Sequence, residues 1–134
     1  MFGLLDIFGG SQRRSALQLF DRTLTELEVN PAYVDDGMRY AIYKWALEVS
    51  GDNAGNIDRT MRDAAALISF CVLGANETEA LWGPAVRQAR QARFDHVLDN
   101  NEDETFDARL VKLVLAKGVA ASDIRASASL DNLD

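Results

Sequence analysis

Apolar residues recur at three- and four-residue spacing along most of the chain, the pattern of helices that each bury one side. From about Ser15 to Glu28 the stripe is Leu17, Phe20, Leu24 and Leu27. Asn30 and Pro31 then supply an N-cap and a first-turn proline, whose missing amide proton costs nothing there. A second helix is therefore expected to run to about Ser50, ending before Gly51. Its main stripe is Val34, Met38, Ala41, Ile42, Trp45 and Val49, and a second one, Tyr33, Tyr40 and Leu47, follows another side. Two apolar faces predict a helix that touches more than one neighbour.

The segment Gly51 to Asn56 is loop chemistry, with Asn56 the expected cap of a third helix whose stripe is Ile57, Met61, Ala64, Ala65, Ile68, Cys71 and Val72. Beyond Ala64 this helix is apolar nearly all round, which places it at the centre of the core. Gly74 stops it. Asn76, with Glu79 three residues later, reads as a capping box, and Gly83 and Pro84 then force a kink or a fresh start, with a fourth helix from Pro84 to about Leu98. The acidic stretch Asp99 to Glu104 leads into a fifth helix, Thr105 to Lys117, with Phe106, Leu110, Val111, Val114 and Leu115 as its apolar surface. Gly118 closes it. The chain after Ser122 is weakly patterned and reads as a tail or a short helix.

The expected fold is all-α, a compact bundle of about five main helices, orthogonal or up-and-down. It forms one domain over residues 1–134, with a short apolar arm at 1–10 and a weakly structured stretch at 122–134. A chain of 134 residues, 48% of them hydrophobic, buries about two thirds of its unfolded surface without help from metal or disulfide. The single cysteine, Cys71, cannot form an internal bridge, so a reducing, cytoplasmic setting is expected. No apolar run approaches a bilayer span, and MFGLLDIFGG, with Asp6 at its middle and no basic start, does not read as a secretory signal.

A net charge of −7 argues against coating nucleic acid or anionic lipid, both of which need a positive field. The acidity is uneven: ten basic residues face twelve acidic ones up to Phe94, and four face nine from Asp95 onward. Most catalytic templates fail for want of residues. One histidine and one cysteine make no zinc cluster and no Cys/His or Ser/His/Asp arrangement, so no catalytic residue, metal or cofactor is assigned. His96, near Asp95 and Asp99, lacks the second histidine of a helical metal site and reads as a surface residue. Asp99, Asn101 and Asp103 fit the start of a calcium loop, but Glu104 stands where glycine is needed and Leu110 where glutamate is needed. The turn around Gly118 resembles a helix-turn-helix, yet the second helix would offer only Arg125, beside Asp123.

The fourth helix carries the sharpest anomaly. At about 100° per residue, Arg90 and Arg93 fall close to the sector of Val86 and Val97, on the apolar half of the helix, where an unpaired guanidinium is costly. They either pair with carboxylates such as Asp35, Asp36, Glu48 or Asp63, or join Arg87 in receiving an acidic partner or a small anion. Tyr40, Tyr43 and Trp45 could line a ligand pocket, although aromatic residues at helical spacing are more often core. These readings favour a non-catalytic protein-binding domain, an adaptor, regulatory or self-associating unit. The alternative is a small-ligand or anion binder, or an enzyme, with a pocket between the aromatic second helix and the arginine-bearing fourth.

Phe2, Leu5 and Phe8 belong to an arm too apolar to stay solvated, which Gly9 and Gly10 separate from the first helix. The arm is expected to bury against its own domain, a second copy or another protein. Weak peripheral contact with lipid through Arg13 and Arg14 stays open, without integral membrane association. Removing residues 1–10 should leave a folded helical domain with altered self-association or partner binding. Light scattering on a sizing column, together with circular dichroism, measures both; a truncated chain that unfolds, or one unchanged in association, contradicts the expectation.

Overall fold

The computed structural model describes residues 2–51, 53–100 and 104–130, with side chains from residue 10 onward. The described chain is helical throughout: α1 Phe2–Glu26, a 3-10 turn Pro31–Tyr33, α2 Asp36–Ser50, α3 Ala54–Leu73, α4 Ala75–Trp82, α5 Pro84–Asp99, α6 Phe106–Ala116 and α7 Ser122–Leu130. The all-α expectation holds, with seven α-helices among the described residues where about five were expected. The surplus comes from α4, which is a separate helix, and from α7, formed by the stretch expected to be weakly structured.

α3 is the hub, in contact with α1, α2, α4, α5 and α6. Ile57, Met61, Ala64, Leu67, Ile68 and Phe70 are all buried on it, and each large side chain removed from water contributes about 1.5–3 kcal/mol. Ala16, Phe20 and Leu24 of α1 face this core, as do Met38, Ile42, Tyr43 and Ala46 of α2, Phe94 and Val97 of α5, and Leu110, Val111 and Val114 of α6. α2 touches α1, α3 and α6, the several neighbours its two stripes implied. Of its second stripe Leu47 packs partly buried against the core, whereas Tyr33 is 51% and Tyr40 52% exposed, and Val49, assigned to the main stripe, is 61% exposed.

Capping residues explain where the boundaries moved. Asn30 accepts from Ala32 N at 2.9 Å and so caps only the 3-10 turn. Val34 is extended, and Asp35, accepting from Met38 N at 2.8 Å, starts α2. Asn53 rather than Asn56 caps α3; Asn56 supplies the amide that Asn53 accepts, at 3.0 Å. Gly9 and Gly10 do not break α1, which corrects the separated arm. An interior glycine costs a helix only about 1 kcal/mol, and extension from a segment already packed needs no new nucleus. Phe2, Leu5 and Phe8 lie in this first part, and their side chains fall outside the described residues.

α3 and α4 meet at a bend of 114°, and among the described residues no single helix is long and apolar enough to cross a membrane. Gly74 makes the bend, with φ +87. α4 has no side-chain cap of its own, which corrects the expected Asn76 and Glu79 box. Its cap comes from 48 residues away: the Asp123 carboxylate accepts from Ala75 N at 2.9 Å. A Cβ at position 74 would stand 2.6 Å from Asp123 Oδ1, so glycine is required both for its dihedral angles and for this approach. Ala121 N donates to Cys71 O at 2.8 Å, and Ile124 and Ala128 are buried, which is why α7 is ordered instead of frayed.

Cys71 is 1% exposed at the centre of this arrangement, and burial pushes its thiol pKa up to about 12. It should resist an aromatic disulfide reagent at about pH 8 in native buffer and react only on unfolding. Following the released thiolate by absorbance tests this; rapid native labelling would show that the thiol is not held inside the core.

Candidate functional site

α5 turns its apolar half toward α3 and α6, where Phe94, Val97 and Leu98 are buried. Arg90 and Arg93 share that side and are half-buried. Their environments differ sharply. Arg93 donates from Nε and Nη2 to the two carboxylate oxygens of Asp107, both at 2.8 Å, and from Nη1 to the backbone oxygen of Asp63 at 2.8 Å. Such a planar two-bond pair is the strongest geometry a guanidinium offers a carboxylate. Asp107 sits in the first turn of α6, where the helix dipole also favours negative charge. Burial alone would lower the Arg93 pKa, but the Asp107 hydrogen bond and charge outweigh it and raise it. One side chain thereby ties α5 to α6 and α3.

Arg90, one turn earlier, forms no hydrogen bond or ion pair with the described residues. Its Nη1 is buried, and among the described residues it is the one buried side-chain nitrogen or oxygen without a hydrogen-bond partner. Its guanidinium carbon lies 5.3 Å from the centre of the Trp82 ring, at the end of α4. A cation over an indole face recovers about 0.5–2 kcal/mol but satisfies no N–H. Burial, and then the positive charge of Arg93, hold the Arg90 pKa below its usual value. Arg87 is better provided for, with Nη1 3.5 Å from Glu79 Oε2 on α4.

Trp82 and Asp107 belong to this arrangement although sequence reasoning left them out. Trp82 was within reach of inference, because Gly83, with φ +91, and Pro84 at the start of α5 fold α4 back along α5. Asp107 gave no such signal, since its meeting with Arg93 depends on how α6 crosses α5. None of the carboxylates considered for the arginines is the partner; Asp63 contributes its backbone oxygen and its nearby charge.

The other candidates disperse. Tyr40 is exposed under Arg13, whose guanidinium lies 5.5 Å from the ring centre. Tyr43 is buried, which raises its pKa. Trp45 lies against Arg109 of α6, 5.8 Å from its ring centre, and Arg109 is paired with Glu48 at 2.9 Å. These side chains face α1, the core and α6, and do not converge on a common space with α5. An open groove of about 350 Å³ lies along the outer side of α4 and α5, lined by Glu79, Arg87, Gln88, Gln91, Ala92 and Asp95. It carries two carboxylates against one guanidinium, and Gln91 donates to Asp95 at 2.9 Å within it. His96 is exposed, with Nδ1 3.3 Å from Asn100 Nδ2. Two members of the calcium-loop reading, Asn101 and Asp103, lie outside the described residues. Arg125, the lone basic residue of the helix-turn-helix reading, donates back to Ala120 O at 3.3 Å. Comparison of the chain with protein-family models, curated protein sequences and solved structures finds no match.

Arg93→Ala should lower stability by about 1–3 kcal/mol, because it leaves a half-buried carboxylate and a backbone oxygen without their donor. Arg90→Ala should cost less than Arg93→Ala, about 0.5–2 kcal/mol, since only the contact with the Trp82 ring is lost. Urea titrations followed by circular dichroism give both values; equal costs would mean that the Asp107 pair does not organise α5.

Proposed function

We propose that this protein is a non-catalytic interaction domain, and that the end of the α4–α5 hairpin is the face it presents to another protein. The observation that supports this most is the Arg90 guanidinium, half-buried and without an acceptor among the described residues. Every other arginine on α5 is answered internally, Arg93 by Asp107 and Arg87 by Glu79. Beside Arg90 stands a residue type that interfaces favour, the Trp82 indole, half-exposed, and its neighbour in α4, Leu81, is 41% exposed. An arginine already held against an aromatic ring loses little side-chain entropy on binding, which reduces what association costs.

A photoreactive residue at position 81 should yield a discrete adduct with another protein in cells that carry the native gene. The same residue at position 49 should not, because Val49 is even more exposed but lies on α2 and not on the α4–α5 face. Adding Arg90→Gln should reduce the position-81 adduct about tenfold, as expected for a central interface arginine. Identical adduct patterns at the two positions, or no adduct at either, would remove the support for this face.

A further inference from the structure

We infer that the Arg90–Trp82 site takes a carboxylate, presented by a glutamate or aspartate side chain of the partner. This rests on the α4–α5 docking face proposed above and specifies its chemistry. Arg90 has five N–H donors and none is used within the described chain. Trp82 lies 5.3 Å from the guanidinium carbon and accepts no conventional N–H bond; with Nη1 buried, the Nε and Nη2 edge is the place left for a ligand, and two parallel N–H bonds along it match a carboxylate.

The charge count selects the same anion. Asp107 answers Arg93 at 2.8 Å and Glu79 lies 3.5 Å from Arg87, leaving Arg90 as the α5 arginine without a paired carboxylate among the described residues. A single negative charge balances it. A phosphoryl group brings nearly two. An arriving carboxylate would also relieve what burial and the Arg93 charge impose on Arg90, because it neutralises the cation whose Nη1 is already out of water. The net charge of −7 does not forbid an acidic ligand, since charges more than about 8–10 Å away are screened at physiological salt.

The experiment is a titration of the whole protein, followed by the NMR resonances of the Trp82 indole N–H and the Arg90 Nε–H. One probe is a capped tripeptide of leucine, glutamate and leucine, a second has glutamine in place of glutamate, and the third is inorganic phosphate. The glutamate peptide should shift both resonances saturably, and at least about tenfold more tightly than the glutamine peptide. Arg90→Gln should abolish the response and Arg90→Lys weaken it, with melting temperatures confirming that each variant is folded. Equal responses to the glutamate and glutamine peptides would overturn the carboxylate assignment, as would phosphate acting as strongly as the glutamate peptide. If the position-81 adduct persists in that case, the docking face stands and only its chemistry is wrong.

Discussion

α3 carries nine buried residues between Ile57 and Cys71, disposed on nearly every side of its axis, and a helix with that surface has to be enclosed. Five other helices supply the enclosure, α1 most extensively. Their packing follows from their own narrower stripes: Phe20 and Leu24 on α1, Met38 and Ile42 on α2, Leu110 and Val114 on α6. Even the polar groups caught in this region are arranged around α3. Buried Ser69 donates to Leu27 O where α1 ends, at 3.3 Å, so that a hydroxyl in the core is not left without a partner.

Covering α3 brings two arginines of α5 to the edge of the core, and the same constraint gives them different roles. Arg93 meets Asp107 and the Asp63 carbonyl, so its charge becomes part of the packing. Arg90 meets an indole ring and, among the described residues, no acceptor. Three residues separate them, yet one is consumed by the fold and the other is left with unused hydrogen-bonding capacity at the surface. A candidate site in this molecule is therefore best recognised by what the fold does not satisfy, not by a collection of reactive groups.

α7 is joined to that hairpin by a cap borrowed across the chain. Asp123 closes the N-terminus of α4, Ala121 donates to Cys71 O at the end of α3, and Gly74 leaves the space in which this happens. The last helix thus stabilises the start of the element that ends in Trp82. α4 is eight residues long and would be marginal by itself; the carboxylate at its first amide and the return along α5 are what hold it.

The all-helical class, the central place of α3 and the extents of α5 and α6 were legible in the sequence, because 3.6-residue periodicity and the breakers Gly74, Pro84 and Gly118 act over a few residues at a time. So was the anomaly of arginines on an apolar helical face, since it needs only the angular positions of Arg90 and Arg93. Cap positions were partly legible: Thr105 and Asn53 obey local rules, although Asn56 competed with Asn53 on equal chemical terms. The meetings of residues far apart in the chain could not be read this way. Asp107 with Arg93, Asp123 with Ala75, and Arg109 with Trp45 depend on how helices cross, and crossing is set by the shape of the whole core. Sequence determined which surfaces had to be buried. Tertiary packing decided which charge found a partner and which did not, because a guanidinium is satisfied only by an acceptor within about 3 Å, a distance that local periodicity does not specify.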